Sequence, residues 1–258
     1  MSARSGAPVV VKLGGTTLAE QRGVLDEVAR HAERERIVLV HGGGKRLTEW
    51  LARMGVESRF EGGLRVTDDA ALEVALAVLR GVINAELVSV LRDAGADAVG
   101  LSGVDGGLLI SERIPTLGRV ATVTGARGTL LATLLDAGVL PVIAPLARDA
   151  EGVICNVNAD DAAAGLAGAL GARLILLTDT DGVRGADGKR IASLTDREIG
   201  GLIDTGVISG GMIPKVRCAL RALAWGSPEV VIADGAADRA LERALGDPGF
   251  GTRTHAAG

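Results

Sequence analysis

Two hydrophobic periods alternate along this chain. Val9-Val10-Val11, Ile37-Val38-Leu39-Val40, Ala98-Val99-Gly100-Leu101, Leu140-Pro141-Val142-Ile143-Ala144 and Leu174-Ile175-Leu176-Leu177 are short continuous apolar runs, and 229–233 is apolar after Glu229. They read as buried strands, because stiff branched side chains suit a layer that is apolar on both faces. Between them, apolar residues recur every three or four positions. Leu18, Val24, Leu25, Val28 and Ala32 share one stripe of a helix over 18–34, and Leu47, Trp50, Leu51 and Met54 mark a helix that stops at Gly55. A turn over 61–69 leads, with Thr67 or Asp68 as cap, into a long helix over 70–92 with Gly81 as a candidate interruption. Shorter helices are expected over 130–137, 162–170, 196–205, 213–224 and 239–244, with hairpins over 108–123 around Pro115 and Gly118. Strands that alternate with helices predict an α/β fold, an open αβα sandwich with a mostly parallel central sheet.

Composition narrows the function. A chain of 258 residues buries roughly 70–75% of its unfolded surface, so it needs no metal or disulfide to fold. Against 28 Lys+Arg stand 32 Asp+Glu, a formal charge of −4, which argues against a nucleic-acid partner. Aromatic content of 2% with no Tyr removes base-stacking platforms as well. Cys155 and Cys218 lie far apart and His31, His41 and His255 are scattered, so no zinc spacing is present. No signal-peptide pattern precedes Pro8 and no apolar run approaches the roughly 18 residues of a membrane helix, which points to a cytoplasmic protein with no membrane partner.

The candidate chemistry lies where strands end. Lys12 closes the first apolar run and Gly14-Gly15 follow; His41-Gly42-Gly43-Gly44 close the second. A lysine at the carboxyl end of a buried strand is costly to hide unless it serves an anion, although its stem can also lie along an edge while the head reaches water. Glycines let backbone N–H groups approach a ligand closely. Neither G-x-x-x-x-G-K-[ST] nor G-x-G-x-x-G occurs, so P-loop ATPases and dinucleotide enzymes fit poorly. Lys215 read alone is a solvated residue at a helix start, Arg65 half of an ion pair, Asp160 a cap and Asn156 a turn residue. Lys45, Arg46 and His41 read as structural, and Cys155 as packing.

Five motifs nevertheless stand in a telling order: Val11-Lys12-Leu13-Gly14-Gly15, Val40-His41-Gly42-Gly43-Gly44, Gly63-Leu64-Arg65-Val66-Thr67-Asp68, Asn156-Val157-Asn158-Ala159-Asp160 and Gly210-Gly211-Met212-Ile213-Pro214-Lys215-Val216. In this order the chain resembles the amino-acid kinase family, and within it the branch that phosphorylates N-acetyl-L-glutamate in arginine biosynthesis. The likeness runs to Gly251-Thr252. It implies one domain over 1–258, with an amino-acid half over about 1–172 and an ATP half over about 173–258. It also implies that Lys12 and Lys215 flank the transferring phosphoryl group and that Asp160 orients both. Gly14, Gly15, Gly43 and Gly44 would supply backbone N–H groups to the phosphate and the reacting carboxylate, while Arg65 and Asn156 hold the amino acid. Asp179, Thr180, Asp181, Gly182, Val183 and Arg184, with Val207, Ile208 and Ser209, would bind ATP, whose phosphates carry Mg²⁺; no metal ligand is expected from the protein.

Two departures from the family pattern bear on detail. Asn84-Ala85 stands where the family often has Asn-Lys, and Arg113-Ile114-Pro115-Thr116-Leu117-Gly118 where it often has Gly-His-Asp-Leu-Gly. Arginine-inhibited relatives carry an extra N-terminal helix that builds a hexamer, and the residues before Pro8 are too few for one, so a homodimer without that feedback is expected. A kinase for a carrier-linked aminoadipate or glutamate stays open beside the free-acetylglutamate reading, as does a non-catalytic amino-acid sensor. Intact Lys12, Asp160 and Lys215 speak against the sensor.

Overall fold

The structure is a computed structural model that describes residues 6–14 and 18–257. Its frame is an eight-stranded sheet. β1 (Val9–Leu13) lies between β2 (Ile37–His41) and β11 (Arg173–Thr178), parallel to both. Beyond β2 follow β8 (Leu140–Ala144) and β5 (Ala98–Ser102), and beyond β11 follows β13 (Val230–Asp234), all parallel. β14 (Thr252–His255) runs antiparallel to β13, and β12 (Ser193–Thr195) pairs with β14 at the edge. The expected mostly parallel sandwich is therefore present, with β12 and β14 added.

Alternation along β1 sorts its side chains. Val9, Val11 and Leu13 join one core and Val10 the other, so Lys12 projects with Val10. On the first face lie α1 (Leu18–Ala32) and α9 (Ala240–Gly246). On the second lie α6 (Ala159–Leu170) and α8 (Met212–Ala224). Chain order reverses between β1 and β11, since β1 leads on to β2 and β11 leads away to β13. That reversal leaves a crevice at the carboxyl edge of the sheet, where open α/β folds bind ligands.

The expected long helix is continuous over 25 residues but changes pitch. α3 (Asp69–Ala75), capped by the Asp68 carboxylate, passes through a π-helical stretch, Leu76–Ile83, into α4 (Asn84–Asp93). One sequence expectation needs correction here. Although charges interrupt every apolar run, this helix as a whole is long and apolar enough to cross a membrane. Its apolar stripe is instead spent on the core, where Ala71, Ala75, Val78, Leu79, Ile83, Leu87 and Leu91 are buried.

Three elements differ from expectation. The turn before α3 is a hairpin, β3 (Arg59–Glu61) with β4 (Leu64–Val66), whose tip uses Gly62 and Gly63 at positive φ. The hairpins of 108–123 are β6 (Leu109–Arg113) and β7 (Val120–Ala126), which close a four-stranded barrel with β9 (Leu146–Asp149) and β10 (Ile154–Val157). α6 starts earlier than expected, because Asn158 caps it by accepting from the N–H groups of Asp160 (2.7 Å) and Asp161 (3.3 Å). Asp160 therefore sits inside the first turn, with its carboxylate left free for other work.

Candidate active site

The site is assembled at the carboxyl edge of β1. The Lys12 ammonium lies 2.8 Å from Asp160 Oδ1, with the two side chains only 14% and 18% exposed. No other described residue hydrogen-bonds that buried oxygen. α6 can bring Asp160 this close because its Ala- and Gly-rich face packs tightly. A Cβ on Gly165 would stand 3.1 Å from Val123, and one on Gly168 only 2.5 Å from Trp225.

α8 is tied to the start of α6 by side chains three residues apart, which share one helical face. Arg221 pairs with Asp161 at 3.0 Å, and the Cys218 thiol donates to the Asp160 carbonyl at 3.1 Å. Burial raises the Asp161 carboxyl, and raises the Cys218 thiol well above its ordinary value, so this thiol acts as packing. Lys215, three residues before Cys218, reaches the same sheet edge. Its partner there is Asp179, just past β11, at 3.4 Å. The nearby Lys215 ammonium holds the Asp179 carboxyl below its usual range. The structure thus departs from the expected arrangement: among the described residues Asp160 pairs with Lys12 and not with Lys215, and each lysine has a carboxylate of its own.

Gly14 departs as well. Its N–H already donates to the Leu177 carbonyl at 2.9 Å, and a Cβ would lie 2.8 Å from that oxygen. Gly14 therefore serves close approach of β1 to β11 rather than offering a free donor. Gly15 lies outside the described residues. Gly43 and Gly44 open α2 (Gly44–Arg53), and no described residue accepts from their N–H groups. The N-terminus of α2, whose Gly43 and Gly44 N–H groups have no acceptor among the described residues, makes this edge attractive to anions.

A cleft beside it is lined by Gly44, Phe60, Arg65, Asn156, Val157 and Asn158, among others. Arg65, on β4, is 7% exposed. Its guanidinium donates to the Gly44 carbonyl (3.0 Å), to Thr48 Oγ1 (2.8 Å) and to Ser58, and stacks over the Phe60 ring. Every one of these partners is neutral, and no acidic side chain pairs with it among the described residues. Burial holds the Arg65 value below that of a free guanidinium. A desolvated cation ringed by neutral groups is a place for an external carboxylate. Asn156, on β10, donates its backbone N–H to Arg119 and leaves its side chain on the cleft.

The expected nucleotide segments follow β11. Asp179 is exposed and Thr180 turns back on Thr178, while Asp181 pairs with Arg184 at 3.1 Å. Gly182, at φ +134°, leaves no room for a side chain because Thr252 Oγ1 would lie 2.5 Å from it. The same Oγ1 accepts from the Val183 N–H at 2.8 Å, so Gly251-Thr252 holds this turn in place. Val183 and Ile208 are buried, Val207 is half-buried and Ser209 is exposed, so the side chains of the first two support the segment from below.

Residues 7–234 match the family model described as Amino acid kinase family. The chain belongs to the amino acid kinase family. This amino acid kinase is 47% identical over 251 residues to the acetylglutamate kinase of Solibacter usitatus, a match covering 95% of this chain and 98% of that protein. Its fold is similar to that of N-acetylglutamate synthase from Neisseria gonorrhoeae complexed with coenzyme A and N-acetyl-glutamate, with a TM-score of 0.84 and 24% identity. That likeness covers 99% of this chain and 61% of that one. It is also similar to carbamate kinase from Giardia lamblia bound to AMP-PNP, with a TM-score of 0.72, 19% identity and coverage of 98% and 100%. The last two likenesses bear on fold alone.

Proposed function

We propose that this chain transfers the γ-phosphoryl group of ATP to the side-chain carboxylate of N-acetyl-L-glutamate, giving an acyl phosphate for arginine biosynthesis. The observation that carries the reading is the buried Arg65 guanidinium, without an acidic partner among the described residues, in a cleft beside the Lys12–Asp160 pair. The 47% identity to an acetylglutamate kinase supports the choice of substrate. In this reading Arg65 and the Asn156 side chain hold the amino acid, and 1–172 and 173–258 serve the amino acid and ATP respectively.

Phosphoryl transfer between anions needs positioning and charge stabilisation more than covalent help. Lys12, fixed by Asp160, meets charge that develops on the moving group, and the Gly43 and Gly44 N–H groups add donors from the opposite loop. Lys215 starts on Asp179, whose side chain is 90% exposed. Exposed pairs are weak, so Lys215 is free to exchange that partner for the triphosphate. Asp179 to Arg184 and Val207 to Ser209 cradle the nucleotide. Among the described residues no three His, Cys, Asp or Glu side chains cluster to hold a metal. In this reading magnesium comes with the ATP phosphates, where it would neutralise charge.

The remaining partners in this reading are a second copy of the chain, as a homodimer, and the cytoplasm as the place of work. Sizing in solution tests the first. The activity is tested by incubation with Mg·ATP and N-acetyl-L-glutamate in the presence of hydroxylamine. Hydroxamate should accumulate with ADP; its absence, with product only on a carrier-linked substrate, would sink the assignment.

A further inference from the structure

His41 and Asn84 are buried, one at the end of β2 and the other where the π-helical stretch becomes α4, and the chemistry above uses neither. His41 is 2% exposed and Asn84 fully buried. The Asn84 Nδ2 lies 2.9 Å from the Val142 carbonyl and 3.1 Å from His41 Nε2. Carbonyls can only accept, so the amide turns its NH₂ group toward them; one hydrogen goes to Val142 and the other to His41 Nε2, which at 3.1 Å is nearer than the Leu101 carbonyl at 3.4 Å. Asn84 Oδ1 then faces the Arg80 guanidinium at 3.4 Å, the charge complement it requires. Because Nε2 accepts, the proton of a neutral imidazole must reside on Nδ1. Nδ1 lies 2.7 Å from the Gly42 carbonyl oxygen and donates to it.

That contact fixes a peptide plane. In a trans peptide the C=O and the following N–H point in opposite directions. Since the Gly42 oxygen faces the buried imidazole, the Gly43 N–H faces away from it, between Gly42 and Gly44, which both line the cleft. The Gly43 backbone is held from a third direction too. At φ +151° it turns its side-chain position against Ile83 and Leu79, where a Cβ would lie 2.5 and 2.8 Å from their methyl groups. Both residues belong to the π-helical stretch, a feature frequent at functional sites.

We propose that His41 and Asn84 are a positioning pair that holds the Gly42–Gly43 peptide with its N–H turned toward the phosphoryl-transfer cleft. The pair does not touch substrate; it acts through the loop. If the plane flipped, a carbonyl oxygen would replace the donor and repel the developing negative charge. The pair's role in catalysis rests on the kinase reading above, whereas its tautomer does not.

The experiment has two independent readouts on the full chain. In the nitrogen NMR spectrum, with the His41 signals identified by their loss in His41→Asn, the wild type should show a neutral imidazole protonated at Nδ1 only. In Asn84→Asp the carboxylate can only accept, so the proton should move to or be gained at Nε2. In steady-state kinetics, His41→Leu keeps bulk but removes the donor and should lose about 10- to 100-fold in kcat, with KM for both substrates within about threefold. The amide of His41→Asn places a donor near the old Nδ1 and should recover most of the loss, which a merely structural role would not produce. A wild-type proton on Nε2, equal kcat losses in the Leu and Asn variants, or a folded His41→Leu with wild-type kcat would each overturn the proposal. A wild type inactive on N-acetylglutamate would count against the kinase reading instead, and the tautomer would still decide this one.

Discussion

Asp160→Asn tests the division of labour between the two lysines. The substitution keeps the shape of the first turn of α6 and removes only the charge opposite Lys12. At 2.8 Å and an effective dielectric of about 20, opposite unit charges attract by roughly 6 kcal/mol before desolvation is counted. Exposed pairs retain under about 1 kcal/mol, and breaking a buried pair costs about 3–5 kcal/mol. Exposures of 14% and 18% put this pair nearer the buried limit. Losing about 2–3 kcal/mol of that alignment in the transition state corresponds to a fall of roughly 30- to 150-fold in kcat. Asp179→Asn is the internal comparison. Its carboxylate is 90% exposed and 3.4 Å from Lys215, so kcat should stay within about fivefold of wild type. ADP release at saturating substrates measures both, with thermal unfolding to confirm that each variant is folded. A folded Asp160→Asn enzyme within about threefold of wild type would refute the reasoning, as would equal losses in the two variants.

Three further outcomes follow from the same geometry. Arg65→Ala should raise KM for the amino-acid substrate by roughly 10- to 100-fold with a smaller change in kcat, the value of a charge-assisted contact; an unchanged KM removes Arg65 from the substrate site. Gly43→Ala forces a Cβ to within 2.5 Å of Ile83 at φ +151° and should cost about 1–3 kcal/mol in denaturant unfolding, against which a loss near zero would show that the loop relaxes freely. Burial of His41, with Arg80 nearby, lowers its pKa from 6.5 to about 4. Below pH 6.5 the unfolded chain therefore takes up a proton that the folded chain refuses. Stability should fall by about 3 kcal/mol between pH 6.5 and 4 on this account alone, with no effect above pH 6.5. His41→Asn should flatten that part of the curve, and identical pH profiles would show that the folded imidazole is not neutral there.

The sheet and the residues at its carboxyl edge are largely legible in the sequence because they rest on local signals. β1, β2, β8, β11 and β13 are continuous apolar runs, and Lys12 breaks the first of them where the strand ends. What escaped was set by long-range pairing. The barrel strands β9 and β10 are four residues each, too short for alternation to stand out, and β12 and β14 exist only because they pair with each other and with β13. The π-helical stretch shares the apolar spacing of an α-helix, so periodicity reports the helix and not its pitch. At the site, residue types were readable but partners were not. Asp179 belongs by its motif to the expected nucleotide segment, and its carboxylate also faces Lys215. Gly14 looked like a donor, yet the Leu177 carbonyl takes its N–H. Asn84 stands out in the sequence only through the departure beside it, and its link to His41 crosses 43 residues.

The central claim is that the side-chain carboxylate of N-acetyl-L-glutamate attacks the γ-phosphorus of ATP at this site. Substrate carrying ¹⁸O in both side-chain carboxylate oxygens, with an unlabelled α-carboxylate, tests it directly. One labelled oxygen becomes the bridge of the acyl phosphate, and hydroxylamine then attacks the carbonyl carbon and releases that oxygen with the phosphate. Each inorganic phosphate formed should therefore carry one ¹⁸O, read by mass or by its ³¹P shift. Phosphate free of ¹⁸O would mean that water or another acceptor takes the phosphoryl group, and would contradict the account.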